Sequence, residues 1–305
     1  MSSLALVSTI LTFIAIVCTG AFARWIGVLR REDVRGINAV IIYIGLPAFI
    51  FRAVHAAELR ADLFVVVGIA WVVFAVMAML AWGASRALRL PRTIAGGFIL
   101  AVALGNTGYI GYPITQAVFG AGALPEAIFY DVFGTVVALV FVGMLIAQRF
   151  GCSDEARVNP IKELAAFPAI WALLLALALH SVPIPDMVGN GLALLASMVA
   201  PLVMLSVGLS LRFSTMGRDA RAVSVTSVLR LLVAPAVALG IGWLTLGRGV
   251  PLRVTALEAG MPTMMLALVI GDRFGLDSDF IASAIFVTTA LSAVTLPLIQ
   301  AMALR

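Results

Sequence analysis

Long apolar runs alternate with short charged loops along the whole chain. Ten runs are delimited in this way: 4–24, 36–55, 62–84, 93–119, 124–148, 164–181, 187–211, 221–246, 251–272 and 278–303. Crossing the hydrocarbon of a bilayer takes about 20 apolar residues in a helix. A helix is the open-ended element that satisfies its own backbone there. The pattern therefore predicts an all-α polytopic membrane protein with ten transmembrane helices. Trp25, Trp82 and Trp243 fall near run ends, where indole rings favour the interface. The longest polar connection, Arg149 to Glu163, separates five runs from five. It divides the chain into a first unit (1–150), a connecting loop (151–163) and a second unit (164–305).

Two runs are interrupted. The fourth contains Gly105-Asn106-Thr107-Gly108-Tyr109-Ile110-Gly111-Tyr112-Pro113, and the ninth contains Glu258-Ala259-Gly260-Met261-Pro262-Thr263. Glycine and proline at this density oppose a continuous helix. Broken backbone at membrane depth is tolerated where protein or a watery cavity supplies partners. Interrupted spans in corresponding halves of a chain point to a transporter's binding site.

Composition agrees with lipid as the main solvent. The chain is 63% hydrophobic and 11% charged, with a mean hydropathy of +1.13. Soluble domains carry about 25% charged residues. The net charge of +5 reflects loop arginines and signals no nucleic acid. Cys18 and Cys152 offer neither a disulfide framework nor metal-ligand spacing, so both are expected as free thiols. The start, Met-Ser-Ser-Leu, lacks a basic segment and is expected to be a retained helix.

Arginines set the expected orientation. Fourteen of the twenty Lys and Arg residues lie in alternate loops: the first, the one before run four, the central loop, and those before runs eight and ten. Five lie on the other side (Arg52, Arg60, Arg248, Arg253 and Arg305), and Arg230 lies within a run. The positive-inside rule places the arginine-rich loops in the cytoplasm and both termini outside. Five runs per half then insert the second half upside down. Pro47 and Pro201 in runs two and seven, and Pro113 and Pro262 in runs four and nine, recur at nearly one offset, as an inverted repeat requires. Gly189-Asn190-Gly191 is expected at a helix start, since no strand precedes it.

Four motifs resemble the auxin efflux carrier family, the group containing plant PIN proteins and bacterial malonate-type permeases. They are Gly45-Leu46-Pro47-Ala48-Phe49-Ile50-Phe51, the glycine-rich break at Gly105–Pro113, Ala200-Pro201-Leu202-Val203-Met204-Leu205-Ser206-Val207-Gly208, and Glu258-Ala259-Gly260-Met261-Pro262. They occur in order from the second run to the ninth. The resemblance implies two inverted five-helix repeats with broken helices four and nine crossing near the midplane. That fold is like that of sodium–proton antiporters and bile-acid-type carriers. It also implies an elevator-like motion of a core against a scaffold. Plant members have a long hydrophilic central loop; the short loop here fits a compact bacterial-type carrier.

The half-helices that start after each break present free N–H groups and partial positive charge, which suit a carboxylate. Asn106, Thr107, Tyr112, Pro113, Met261, Pro262 and Thr263 are the expected substrate or cavity residues, with packing as the alternative for each. Met264 and Met265 could line an apolar wall. Ionisable groups within spans are costly and mark function. Glu258 is the candidate site for a coupling proton or a sodium ion, and Asp131 could hydrogen-bond a broken helix. Arg230, about 15 Å of rise into its run, could bind the substrate carboxylate. It could instead pair with Glu258, with Asp131, or with carbonyls exposed at a helix break.

These features, with the resemblance to that family, imply a secondary carrier of a small malonate- or malate-like anion in the bacterial cytoplasmic membrane. The chain lacks a Walker motif and implies no cofactor beyond coupling to protons or sodium. Its expected partners are the lipid bilayer and, by analogy of fold, a second copy in a homodimer. An anion channel or membrane sensor on the same fold is the alternative. A more distant one is an intramembrane aspartyl protease using Asp131 and Asp272.

Overall fold

The computed structural model describes residues 3–30, 32–152, 159–180, 182–210 and 219–303. Ser2, at the N-terminus, lies outside them. The described residues form helices and turns without strands. In chain order those of eight residues or more are α1 (Ser3–Trp25), α2 (Asp33–His55), α3 (Asp62–Ala87), α4 (Arg92–Ala103), α5 (Tyr112–Phe119), α6 (Ala121–Phe150) and α7 (Pro168–Ala178). They continue with α8 (Asp186–Ser210), α9 (Ala220–Thr245), α10 (Val250–Ala259), α11 (Leu266–Phe274) and α12 (Ser278–Ala303). By length and apolarity, six described helices can each cross a membrane unaided: α2, α3, α6, α8, α9 and α12. The fourth run is split into α4 and α5, and the ninth into α10 and α11. Gly189 and Gly191 lie early in α8, at a helix start.

Three helices widen into a π-helical turn immediately before a proline. The turns are Ile41–Gly45 ahead of Pro47, Thr107–Gly111 ahead of Pro113, and Leu229–Val233 ahead of Pro235. Proline lacks an N–H, and its ring collides with the carbonyl four residues back. Those carbonyls belong to Tyr43, Tyr109 and Leu231, each in the middle of a widened turn. The extra residue per turn relieves the collision and re-aims the side chains around it.

α1 packs along the second half of α8 through a reciprocal pair of glycines. Gly20 meets the backbone of Leu205, and Gly208 meets the backbone of Val17. A side chain at either would strike a carbonyl, so the two helices touch backbone to backbone. Two apolar clusters fill the interior. One gathers α3, α4, the second half of α6, α9, α11 and the start of α12. The other gathers α2, α5, the first half of α6, α7, α8 and α10. Phe64, Met79, Trp171, Leu194 and Leu244 remain exposed around the perimeter. An apolar perimeter of this kind needs lipid to cover it.

Loops assigned to the same side by their arginines meet at one end of the molecule. Arg92 donates from Nη2 to the Arg149 carbonyl at 2.7 Å, Cys152 donates to Gly275 at 3.0 Å, and Arg273 pairs with Glu163 at 2.9 Å. At the opposite end His55 reaches the Val182 carbonyl at 2.9 Å. Trp25 is exposed, and Arg86 and Arg248 lie over Trp82 and Trp243, with ring distances of 4.7 and 5.8 Å. Cys18 and Cys152 are unpaired and exposed.

Candidate substrate and coupling site

The two breaks meet. Gly105 and Thr263 form an antiparallel backbone bridge. The Asn106 N–H donates to Pro262 at 2.7 Å, and the Met264 N–H donates to Leu104 at 3.0 Å. Each interruption thus supplies donors and acceptors to the other, which is how broken backbone survives away from water.

A helix leaves its last four carbonyls without intrahelical partners. At the end of α4 all four are satisfied from outside the helix. Ala101 accepts from the Thr263 hydroxyl at 2.9 Å. Val102 and Ala103 accept from Nη1 of Arg230, each at 3.2 Å. Leu104 accepts from the Met264 N–H. The other terminal nitrogen of Arg230 donates to Ala259, the last residue of α10. One guanidinium therefore ties together the negative ends of both half-helix dipoles. Its positive charge sits where those dipoles favour a cation. Arg230 is 2% exposed, and neither Glu258 nor Asp131 pairs with it among the described residues. Of the partners open to it from the sequence, the carbonyls at the helix breaks are the ones it takes.

The start of α5 carries the opposite arrangement. Asp131, from α6, accepts from the Thr107 hydroxyl at 2.5 Å and the Tyr112 hydroxyl at 2.6 Å. Its carboxylate also packs against Gly108, where a Cβ would lie 2.8 Å from Oδ2. Glu258, from α10, is fully buried. Its Oε1 accepts from Thr115 at 2.8 Å, and its Oε2 has no partner. Its carboxyl group occupies the space a side chain at Gly111 would need. Two protein carboxyls thus already hold the first turns of this half-helix. They do so through side-chain hydroxyls, those of Thr107, Tyr112 and Thr115. Both half-helix starts border one open space.

That space is a small cavity lined by Asn106, Tyr109, Tyr112, Asp131, Met264 and Met265 just ahead of α11, and Leu266, its first residue. Ile42, Leu46 and Ile50 of α2 close it on one side. Asn106 Nδ2 and the Tyr109 hydroxyl are buried without partners. Unpartnered polar atoms in a buried wall cost about 1–3 kcal/mol each, which a polar ligand can offset. The cavity measures ≈ 30 Å³. That is about the volume of one water in the liquid.

Of the residues singled out from sequence, Asn106, Tyr112 and Asp131 reach this cavity, and Thr107 touches it through Asp131. Thr263 is instead engaged by Ala101 and Thr288. Met261, Pro262, Pro113, Arg230 and Glu258 are not part of its wall. Tyr109 and the α2 residues were missed as lining. Tyr109 lies inside the glycine-rich motif, and Leu46 and Ile50 lie inside the first proline motif, which was the available signal. Asp272 is exposed at the end of α11 and accepts from Ser278, whereas Asp131 is buried at the crossing. They do not make the dyad of an aspartyl protease.

The sequence matches the family model described as "Membrane transport protein" over residues 5–300. The chain belongs to this transporter family. It is the auxin efflux carrier group that the four motifs resemble. An uncharacterised transporter of Methanothermobacter thermautotrophicus is 35% identical over 295 residues, covering 95% of this chain and 96% of the relative. An uncharacterised transporter of Methanocaldococcus jannaschii is 30% identical, with 95% and 96% covered. A Rhizobium meliloti protein named as a candidate malonate transporter is 26% identical, with 87% and 85% covered. This family membership and the apolar helices make the chain a multi-pass membrane protein of transport function.

Proposed function

We propose that the chain is a secondary carrier of a small organic anion, a malonate- or malate-like carboxylate, in the bacterial cytoplasmic membrane. Its ten spans form two inverted five-span repeats, 1–150 and 164–305, joined by the loop 151–163, with both termini outside. The interruption of both the fourth and the ninth run, and the meeting of the two breaks at Gly105 and Thr263, support this reading. The observation that carries the substrate class is the cavity at the start of α11. There a helix N-terminus, the Asn106 amide and the Tyr109 hydroxyl offer donors, while the Asp131 carboxylate in the same wall is held by the hydroxyls of Thr107 and Tyr112.

Glu258 is the coupling residue in this reading. Its immediate polar partner is one hydroxyl, and Oε2 is left over. A proton needs no more than that oxygen, whereas a sodium ion needs a fuller shell of oxygens, so the geometry favours a proton. Alternating access is elevator-like: the crossing, with α6 and α9 attached, slides against α2 and α8, and the small cavity widens as it does so. A thermal-shift screen of small carboxylates, with and without sodium, tests the class. Stabilisation by malonate or malate and not by choline supports it; indifference to every carboxylate would remove the anion.

A further inference from the structure

A second cavity, much larger than the first, lies toward the end of the molecule where α2 and α5 finish. Its volume is ≈ 640 Å³, within the range of small-molecule sites. α2, the loop after it, the α5–α6 connection and α8 form its walls. Its inner wall is Phe49, whose ring stacks on Tyr112 at 5.7 Å with the planes 3° apart. Tyr112 in turn donates to Asp131 and lines the small cavity. One aromatic stack therefore separates the two spaces.

Four charged residues line this cavity: Arg52, Glu58, Arg60 and Glu126. Arg60 is already neutralised by Asp62 at 2.7 Å. Glu58 is exposed at the rim. Glu126 is buried on the opposite wall, with Oε2 unpartnered. Arg52 has no ion pair or hydrogen bond from its side chain among the described residues. It stands three residues after Phe49, one helical turn from the stack.

We infer that this cavity is an anion-docking vestibule and that Arg52 is its carboxylate-recognition residue. This rests on the carrier reading given above. A guanidinium takes a carboxylate through two parallel hydrogen bonds. Glu58 at the rim and Glu126 across the space offset the guanidinium in net charge, so recognition rests on these directed bonds from Arg52. The anion docks on Arg52, and displacement of the Phe49 ring from Tyr112 opens the way to Asn106 and the start of α11. Loop arginines outside a membrane are ordinarily topological signals; the continuity with Tyr112 is what separates Arg52 from them.

The test reads the charge preference of the cavity directly. A cysteine is placed at Ala193, on the α8 wall, in a protein carrying Cys18→Ala and Cys152→Ala. Its labelling rates with an anionic sulfonatoethyl and a cationic trimethylammonium-ethyl methanethiosulfonate are measured at low salt, each relative to free cysteine. Arg52→Gln should lower the anion-to-cation ratio by about threefold, the change expected for one unit charge several ångströms away, and Arg52→Lys should keep it. A ratio unchanged by Arg52→Gln would overturn the assignment. The ratio needs no transported substrate, so its failure is distinct from an absence of malonate uptake, which would count against the carrier reading.

Discussion

Arg230 donates to the carbonyl of Ala259 at the end of α10 while its other terminal nitrogen holds Val102 and Ala103 at the end of α4. An isolated arginine at this depth costs at least about 2.5 kcal/mol on insertion scales. Three carbonyls that would otherwise lack donors offset that cost. Removing the side chain leaves all three unsatisfied, at about 1–3 kcal/mol each. Arg230→Ala is therefore expected to lower the thermal unfolding temperature sharply, and Arg230→Lys to recover only part, because an ammonium cannot span both helix ends. Since Glu258 is not the partner, Arg230→Ala/Glu258→Ala should recover none of the stability that the single variants lose. Recovery of stability in the double variant, measured by scanning fluorimetry, would reinstate the ion pair.

Gly111 and Glu258 share one space. Gly111→Ala is expected to destabilise the protein, because the new Cβ meets a buried carboxyl group. In a Glu258→Ala background the same change should cost clearly less, a coupling of about 1 kcal/mol or more between contacting residues. Equal costs in both backgrounds would mean that the two residues do not touch.

Glu258→Gln keeps the size of the side chain and its bond from Thr115 while removing the ionisable oxygen. Folding and malonate binding should persist, and the dependence of uptake on the proton gradient should disappear. The measurement is uptake with and without an imposed pH difference. Undiminished coupling in this variant would make Glu258 structural.

Cys152 should react with an impermeant thiol reagent only from the cytoplasmic face, and a cysteine at position 2 only from outside. Reaction of both from one face would mean an even number of spans and would remove the inverted repeat.

Much of this architecture was legible in the chain because lipid imposes simple demands. Apolar length marks the spans, and glycine with proline marks the breaks at Gly105–Pro113 and Gly260–Pro262. Asp131 and Glu258 were recognisable as a buried acid's expense in hydrocarbon. What the chain could not declare was pairing across long separations. Nothing local at Arg230 distinguishes a substrate ligand from a clamp on carbonyls supplied by α4 and α10. Thr263 looks like a pocket residue beside its proline, yet its hydroxyl is used by Ala101. The wall contributed by Ile42, Leu46 and Ile50 was hidden for the same reason: apolar residues on a membrane helix look alike until a neighbour is placed against them.

Counterflow of malonate in proteoliposomes tests the central claim most directly. Vesicles preloaded with unlabelled malonate should accumulate labelled malonate transiently and saturably. Asn106→Ala, which removes an unpartnered donor from the cavity wall, should weaken the apparent affinity by about tenfold, the loss of one hydrogen bond to a charged group. Flux that rises linearly with concentration and shows no exchange, or the absence of malonate and malate flux altogether, would contradict an anion carrier built on this crossing.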